Sequence, residues 1–151
     1  MYLQHFHYYS ILLIIIKFTG DKHMINQIGK ITIYANNQEE AIKFWTEKMN
    51  FVIKFEQQMG PNMKWVEVAP SNECFTTFVL YEKEMMLKQN PNANVSHPNI
   101  ILSTMDLTKA YDEMKNNGVA VGEIMSMPYG KMVPFKDQDG NQYLLREDLV
   151  K

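Results

Sequence analysis

Few side chains of this sequence have the type and spacing that catalysis requires. Glu67 could act as a lone general base, because alternate residues of its strand-like run would face one side. Cys74 could act as a nucleophile, but no histidine stands near it in the sequence to activate it. No Ser-His-Asp set and no pair of carboxylates stands out. Catalytic residues are therefore unknown from the sequence, and whether the protein is an enzyme stays open.

Histidine is the side chain that most often ligates transition metals, and the sequence contains four. His5, His7 and His23 all lie near the N-terminus, the first two as a His-x-His pair. His97 precedes Asn99 by two residues, so the two side chains would point to the same side of an extended strand. This pattern is too loose to predict a metal site, and a bound divalent metal is kept as the alternative.

The composition indicates one globular domain with a core of ordinary size. The 151 residues are 46% hydrophobic and 21% charged, with a formal net charge of −2. The basic residues are scattered, so the sequence predicts neither a nucleic-acid partner nor an anionic membrane. Cys74 is the one cysteine, which excludes an internal disulfide and fits a reducing compartment, so we expect a cytoplasmic protein.

Residues 1–23 differ from the rest of the chain. They contain a dense apolar run, Ile11 to Ile16, which is too short to span a bilayer. The run has no Lys or Arg ahead of it and no small-x-small cleavage site after it, so it does not fit a signal peptide. We interpret residues 1–23 as an N-terminal extension that need be neither native nor ordered, and residues 24–151 as the domain. A weak membrane anchor and a segment docked on the domain are the alternatives.

The domain contains two copies of one sequence unit. "GKITIYANNQEEAIKFW" begins at Gly29, and "PNIILSTMDLTKAYDEM" begins at Pro98. Each copy has a β-branched strand, a polar residue and an amphipathic helix. Asn37 and Asp106 are placed to cap the two helices with a side-chain oxygen. This repeat predicts two modules of the same fold.

Three strand-like runs follow each predicted helix, so the predicted order in each half is βαβββ. They are "FVIKFEQQ", "MKWVEVAP" and "CFTTFVLYE" in the first half and "VAVGEIM", "GKMVPFKD" and "QYLLRE" in the second. The modules cover about residues 25–82 and 98–148, and the polar stretch from Lys83 to His97 is interpreted as a linker. The predicted fold class is α+β, with two βαβββ modules that form a cupped mixed sheet with helices on the outside.

Three stretches carry a resemblance to a known family: "YANNQEEAIKFWTEKMNFVIKF", "STMDLTKAYDEMKNNGVAV" and "PYGKMVPFKDQDGNQYLLRE". In this order and spacing, the sequence resembles the vicinal oxygen chelate superfamily of glyoxalases, bleomycin-resistance proteins and extradiol dioxygenases, over about residues 25 to 148. The resemblance implies the fold and a homodimer that completes two cups. It does not imply one reaction, because the fold hosts isomerases, lyases, dioxygenases and drug-sequestering proteins.

The resemblance also assigns four strand positions that hold the metal in metal-dependent members as His, Gln or Glu. In this sequence they fall on Lys30, on Asn99, on Phe78 or Val79, and on Leu144. An ammonium, an amide and two apolar groups cannot form the ligand set of a divalent metal. The sequence therefore predicts a site that works without a metal, and no other cofactor.

The predicted ligand-binding residues share an expected place in the cup: Lys30, Thr32, Trp65, Phe78, Asn99, Ile101, Tyr129 and Leu144. Lys30 and Asn99 would be the polar handles for a small apolar or aromatic ligand. One alternative function is a metal-dependent lyase, isomerase or dioxygenase with an atypical ligand set. Another is an interaction module whose cup is collapsed and filled by Trp65, Phe78 and Tyr129.

Overall fold

The computed structural model of the protein describes residues 24 to 148, so the predicted extension at residues 1–23 lies outside the described residues. The first half contains, in order, β1 (Lys30–Ala35), α1 (Gln38–Lys43), a π-helical turn (Phe44–Lys48), β2 (Val52–Gly60), β3 (Met63–Ala69) and β4 (Thr77–Glu82). After α2 (Lys83–Gln89), the second half contains β5 (Ile101–Thr104), α3 (Leu107–Asn116), β6 (Ala120–Val121), β7 (Met125–Met127), β8 (Gly130–Lys136) and β9 (Gln142–Glu147). No helix in this range is long and apolar enough to cross a membrane.

Both predicted helix caps are confirmed. The side-chain oxygen of Asn37 accepts a hydrogen bond from the backbone N–H of Glu40 at 3.0 Å. The carboxylate of Asp106 accepts one from the backbone N–H of Lys109 at 2.9 Å. Each cap satisfies a backbone donor that has no partner within the first turn of its helix, and so it fixes where α1 and α3 begin.

The strands form two separate mixed sheets. The first sheet has the order β1-β4-β3-β2, with β1 parallel to β4 and the other neighbours antiparallel. The second sheet has the order β5-β9-β8-β6, with β5 parallel to β9, and β7 pairs with β8 beside that path. In each half, the parallel pair joins the first strand to the last. The predicted α+β fold of two βαβββ modules is confirmed, with two sheets in place of one continuous sheet.

The second strand of the second module is interrupted, whereas the sequence predicts one run, "VAVGEIM". The backbone N–H of Gly122 donates to the carbonyl of Pro134 at 2.8 Å, between β6 and β7. A Cβ at position 122 would lie 2.7 Å from Cγ of Pro134, so the close approach requires glycine. Pro134 has no N–H to donate back, and the ladder therefore breaks at this point.

The predicted linker from Lys83 to His97 is irregular only in its second part. Its first seven residues form α2, Lys83–Gln89. Glu84 and Lys88 face each other one turn apart, 2.8 Å between carboxylate oxygen and ammonium nitrogen. The polar composition that suggested a loop is that of a short helix on the surface.

One hydrophobic core is shared by both sheets, and Trp45 lies at its centre with no exposed surface. Its ring lies 5.1 Å from the ring of Phe78 in the first sheet and 5.1 Å from the ring of Tyr143 in the second. The ring of Phe135, also in the second sheet, lies 6.4 Å away. Edge-to-face pairs at these separations stabilise a core beyond their buried area. The two modules therefore complete one core together.

The turn between β8 and β9 is organised by the buried carboxylate of Asp137. One oxygen accepts from the backbone N–H groups of Asp139 and Asn141, both at 2.9 Å. The other accepts from the side-chain amide of Asn141 at 2.9 Å and from the hydroxyl of Tyr143 at 3.2 Å. Burial and the charge of Asp137 raise the pKa of Tyr143, so its hydroxyl stays protonated and donates. Gly140 at φ 79° supplies the backbone conformation that this predicted turn requires.

Polar contacts also join the two modules at the surface. The carboxylate of Asp139 accepts from the backbone N–H of Asn36 at 2.8 Å and from its side-chain amide at 3.2 Å. The side-chain amide of Asn117 donates to the carbonyl of Lys48 at 2.8 Å. These bonds tie the end of β1 and the end of the π-helical turn to the second module.

Candidate functional site

Each sheet has one face that packs in the shared core and one face turned away from it, which we call its open face. On β1, Ile33 lies in the core, so Lys30 and Thr32 lie on the open face of the first sheet. On β9, Tyr143 lies in the core, so Leu144 lies on the open face of the second sheet. Buried residues of α1 and α3 belong to the core cluster, so the helices lie on the side of the sheets opposite to the open faces.

The open face of the first sheet carries a polar network around Glu67 of β3. One carboxylate oxygen of Glu67 lies 2.7 Å from the ammonium of Lys30 and accepts the hydroxyl of Thr77 at 2.9 Å. The other oxygen accepts the indole N–H of Trp65 at 2.8 Å. The side chain of Lys30 is 51% exposed and that of Glu67 is 9% exposed. A buried carboxylate is thus held by three donors, one of which reaches solvent.

These hydrogen bonds decide the protonation state of Glu67. Burial on its own would raise the pKa of this carboxyl, because it penalises the charged form. The bonds from Lys30, Trp65 and Thr77 outweigh burial and lower the pKa below its ordinary value. Glu67 is therefore ionised at neutral pH, and both of its oxygens are engaged, which is unfavourable for a general base.

The prediction that Phe78 lines the candidate site is wrong. Phe78 is 6% exposed and packs in the core, with its ring 6.0 Å from the ring of Phe51. The strand register explains the difference, since Lys30 pairs with Thr77 and Thr32 pairs with Val79. Directly paired residues of neighbouring strands share a face, so Thr77 and Val79 lie beside Lys30 and Thr32, and Phe78 points the other way.

The open face of the second sheet is more apolar. Leu144 pairs with Ile101 on one side and with Pro134 on the other, and Ile101 is 61% exposed. Tyr129, in the turn between β7 and β8, is 52% exposed. The guanidinium of Arg146 lies 5.4 Å from the centre of the Tyr129 ring and donates to the Tyr129 carbonyl at 3.3 Å. This face therefore combines aliphatic side chains with a cation placed on an aromatic ring.

Asn99 and His97 lie in the segment before β5. Asn99 is exposed and precedes the first paired residue, Ile101. The Nε2 atom of His97 is 3.0 Å from the carbonyl of Gln142, so this nitrogen carries the donated proton. The His97 ring lies 4.6 Å from the ring of the core residue Tyr143, with 63° between the two planes. His97 thus packs against Tyr143 and is bound to the backbone at the start of β9.

The predicted site residues are divided between the two open faces. Lys30, Thr32 and Trp65 lie on the first, and Ile101 and Leu144 lie on the second with Tyr129 beside them. Sequence reasoning missed Thr77 and Arg146. Arg146 could have been found, because it follows Leu144 by two residues and so shares its face. Thr77 could not, because its place depends on the pairing of β1 with β4.

The side chains at the four positions that the family resemblance assigns to metal ligands do not fit a divalent metal. Lys30 brings a positive charge, and Val79 and Leu144 offer no lone pair. Asn99 is a single amide in the segment before β5, and Glu67 already accepts bonds at both oxygens. Over residues 24 to 148, no three His, Cys, Asp or Glu side chains are grouped as metal ligands.

A separate groove of about 210 Å³ lies at the junction of the modules. Its apolar walls include Phe51, Leu102 and Met114, and Lys48 and Glu113 lie at its border. None of the predicted site residues lines it. Its volume is below the range of about 300–1,000 Å³ that is usual for ligand sites.

Comparison with known proteins identifies the family. Residues 27–144 match the model of the Glyoxalase/Bleomycin resistance protein/Dioxygenase superfamily. The chain belongs to this superfamily. This superfamily member is 42% identical to the uncharacterized protein YetH of Bacillus subtilis (strain 168) over 125 residues, which cover 82% of this chain and 100% of YetH.

Two solved structures resemble the superfamily member over most of its length. TnmS3, an antibiotic binding protein from Streptomyces sp. CB03234, has a TM-score of 0.71 and 25% identity, covering 84% of this chain and 99% of TnmS3. A superfamily protein from Sphaerobacter thermophilus DSM 20745 has a TM-score of 0.70 and 29% identity, and the match covers 83% of this chain and 100% of the other. Both comparisons support the two-module fold.

Proposed function

We propose that this superfamily member binds a small apolar or aromatic molecule on its open faces without a metal. The observation that carries the proposal is that Lys30, at a position where the resemblance expects a metal ligand, forms an ion pair with Glu67. Exposed apolar side chains accompany it, including Phe55, which is 46% exposed and pairs with Glu67, and Ile101 on the second sheet. Apolar surface with a few placed polar groups is typical of ligand sites.

We further infer that a second copy of the chain completes each cup. Among the described strands, β1 pairs only with β4 and β5 pairs only with β9, so the outer edges of β1 and β5 are open to another chain. A two-fold dimer can place the first open face of one copy beside the second open face of the other. Lys30 and Trp65 of one copy would then line the same cavity as Ile101 and Leu144 of the partner.

The comparison with TnmS3 supports this choice among the functions that the fold allows. TnmS3 is an antibiotic binding protein, and 99% of its length is covered by the structural match to this chain. A protein that binds a ligand without transforming it needs no free general base, which agrees with the engaged oxygens of Glu67. The lone free thiol of Cys74 favours a reducing compartment, and we place the protein in the cytoplasm.

The first test of this function is metal content. Full-length protein is incubated with Ni, Zn, Mn or Fe(II), desalted and analysed for metal. We expect far less than one equivalent, because the Lys30 ammonium repels a cation and Leu144 offers it no ligand. A variant with His5→Ala and His7→Ala is the control, since that His-x-His pair could hold metal on its own.

The proposal would be contradicted if the control variant retained about one equivalent of metal and if Glu67→Gln or His97→Ala abolished that retention. The protein would then be placed with the metal-dependent lyases, isomerases or dioxygenases of the superfamily, with an atypical ligand set.

The second test is direct binding of a neutral aromatic probe, phenylnaphthylamine. We expect saturable binding in the micromolar range, with energy transfer from Trp65, which lies on the open face. Trp65→Phe should lower the transfer, because it removes the tryptophan on the open face and leaves Trp45 in the core as the one remaining donor. Sedimentation of the same sample should show two copies. Equal transfer in the variant would place the dye elsewhere, and absence of binding would remove the proposed function.

A further inference from the structure

The ammonium of Lys30 differs from an ordinary surface lysine, because Glu67 fixes its position. The carboxylate of Glu67 is almost fully buried and 2.7 Å away, whereas half of the Lys30 side chain is exposed. An ammonium has three N–H donors, and hydrogen bonds within the described residues engage one of them, with Glu67. The other donors are available to a molecule on the open face.

The network has hydrogen-bond donors available to a ligand, whereas its acceptors, the two oxygens of Glu67, are already occupied. Both oxygens of Glu67 are occupied, by Lys30 and Thr77 on one side and by Trp65 on the other. The indole N–H of Trp65 is used in this way, so the exposed polar group of the network is the Lys30 ammonium. A ligand that reaches this point must therefore bring its own acceptor.

We propose that Lys30 is the anchor for an oxyanion on the ligand, such as a carboxylate, phenolate or sulfonate attached to an aromatic body. This inference rests on the proposed function and names the chemical class that the site selects. The ammonium lies at the strand position that the resemblance assigns to a metal ligand, and it supplies there a positive charge that belongs to the chain itself.

The surroundings of Lys30 fit an aromatic anion. Trp65 is bound to the same carboxylate, and its ring lies 6.4 Å from the ring of Tyr81 on the neighbouring strand. Phe55 pairs with Glu67 from the other side, on β2. An aromatic ligand can contact these rings while its oxyanion accepts a charge-assisted hydrogen bond from Lys30.

The second open face repeats the combination of a cation and an aromatic ring, with Arg146 on Tyr129. This guanidinium lies 3.1 Å from the carboxylate of Asp148, so each of the two cations has a carboxylate partner. We assign the anchor to Lys30 because its side chain is 51% exposed, against 35% for Arg146, and because Trp65 binds the same carboxylate.

The test uses two dyes with the same ring system. Anilinonaphthalene sulfonate carries an anionic group, and phenylnaphthylamine is its neutral counterpart. In Lys30→Gln we expect the Kd of the sulfonate to rise about tenfold, the effect of one charge-assisted hydrogen bond. The Kd of the neutral dye should stay within about twofold.

Lys88→Gln is the matched control, because Lys88 also pairs with a glutamate, Glu84 at 2.8 Å, but lies on α2. Both dyes should bind this variant as they bind the native protein. Lys30→Arg keeps the charge and should retain most of the preference for the sulfonate, so it tests the anchor even if Lys30→Gln folds poorly.

Equal binding of the sulfonate to the native protein and Lys30→Gln would overturn the oxyanion anchor and leave the proposed function standing. The anchor would be contradicted in the same way if Lys30→Gln weakened both dyes equally while circular dichroism showed an intact fold. Failure of both dyes to bind the native protein would instead remove the proposed function.

Discussion

Replacing Trp45 with alanine is expected to lower the free energy of unfolding by about 3–5 kcal/mol, the cost of a large cavity at a fully buried site. The Trp45 ring contacts aromatic rings of both sheets, at 5.1 Å from Phe78 and 5.1 Å from Tyr143. Neighbours on two sheets cannot both move inward to fill the space. Urea unfolding followed by far-ultraviolet circular dichroism measures the loss.

Trp45→Phe is the matched control for this prediction. The indole N–H of Trp45 has no hydrogen-bond partner among the described residues, so phenylalanine removes volume without breaking a bond. We expect it to cost about 1–2 kcal/mol, well below the alanine variant. A loss under about 1 kcal/mol for Trp45→Ala would show that the modules do not share this core.

Replacing Asp137 with alanine is expected to lower the free energy of unfolding by about 2–4 kcal/mol, since each buried donor left unpaired costs about 1–3 kcal/mol. The carboxylate accepts four hydrogen bonds, three within its turn and one from the buried hydroxyl of Tyr143. Its loss leaves that hydroxyl and two backbone N–H groups to find water. Thermal and urea unfolding together measure the change.

Two variants separate the parts of the Asp137 effect. Tyr143→Phe removes one donor and leaves the turn intact, so it should cost about 1 kcal/mol. Asp139→Ala removes the contact with Asn36, which lies at the surface, and should cost less than Asp137→Ala. If Asp139→Ala were the more damaging of the two, the turn would stabilise the protein through the contact between modules and not through its buried carboxylate.

Features set by local interactions were predictable from the sequence. Asn37 and Asp106 cap their helices because the caps involve only the following three residues. The turn at Gly140 and the two-module repeat follow from short patterns in the same way. Lys30 and Thr32 lie on one face of β1, as alternation predicts, because alternation within one strand requires no knowledge of its neighbour.

Features set by contacts between distant strands were not predictable. Phe78 and Val79 lie in a run that is apolar at every position, so alternation could not tell which one faces the core. The pairing of Lys30 with Thr77 decides it. The break between β6 and β7 depends on Pro134, which lies on another strand.

The position of Trp45 also affects when the hydrophobic core can be completed during synthesis of the chain. The first module leaves the ribosome before Phe135 and Tyr143 have been made, and both belong to the ring of aromatic neighbours around Trp45. Until β9 emerges, the half-made core keeps an apolar surface that chaperones and other nascent chains can bind. The two repeats of similar sequence thus share one core, and the first cannot complete that core until the second has been made.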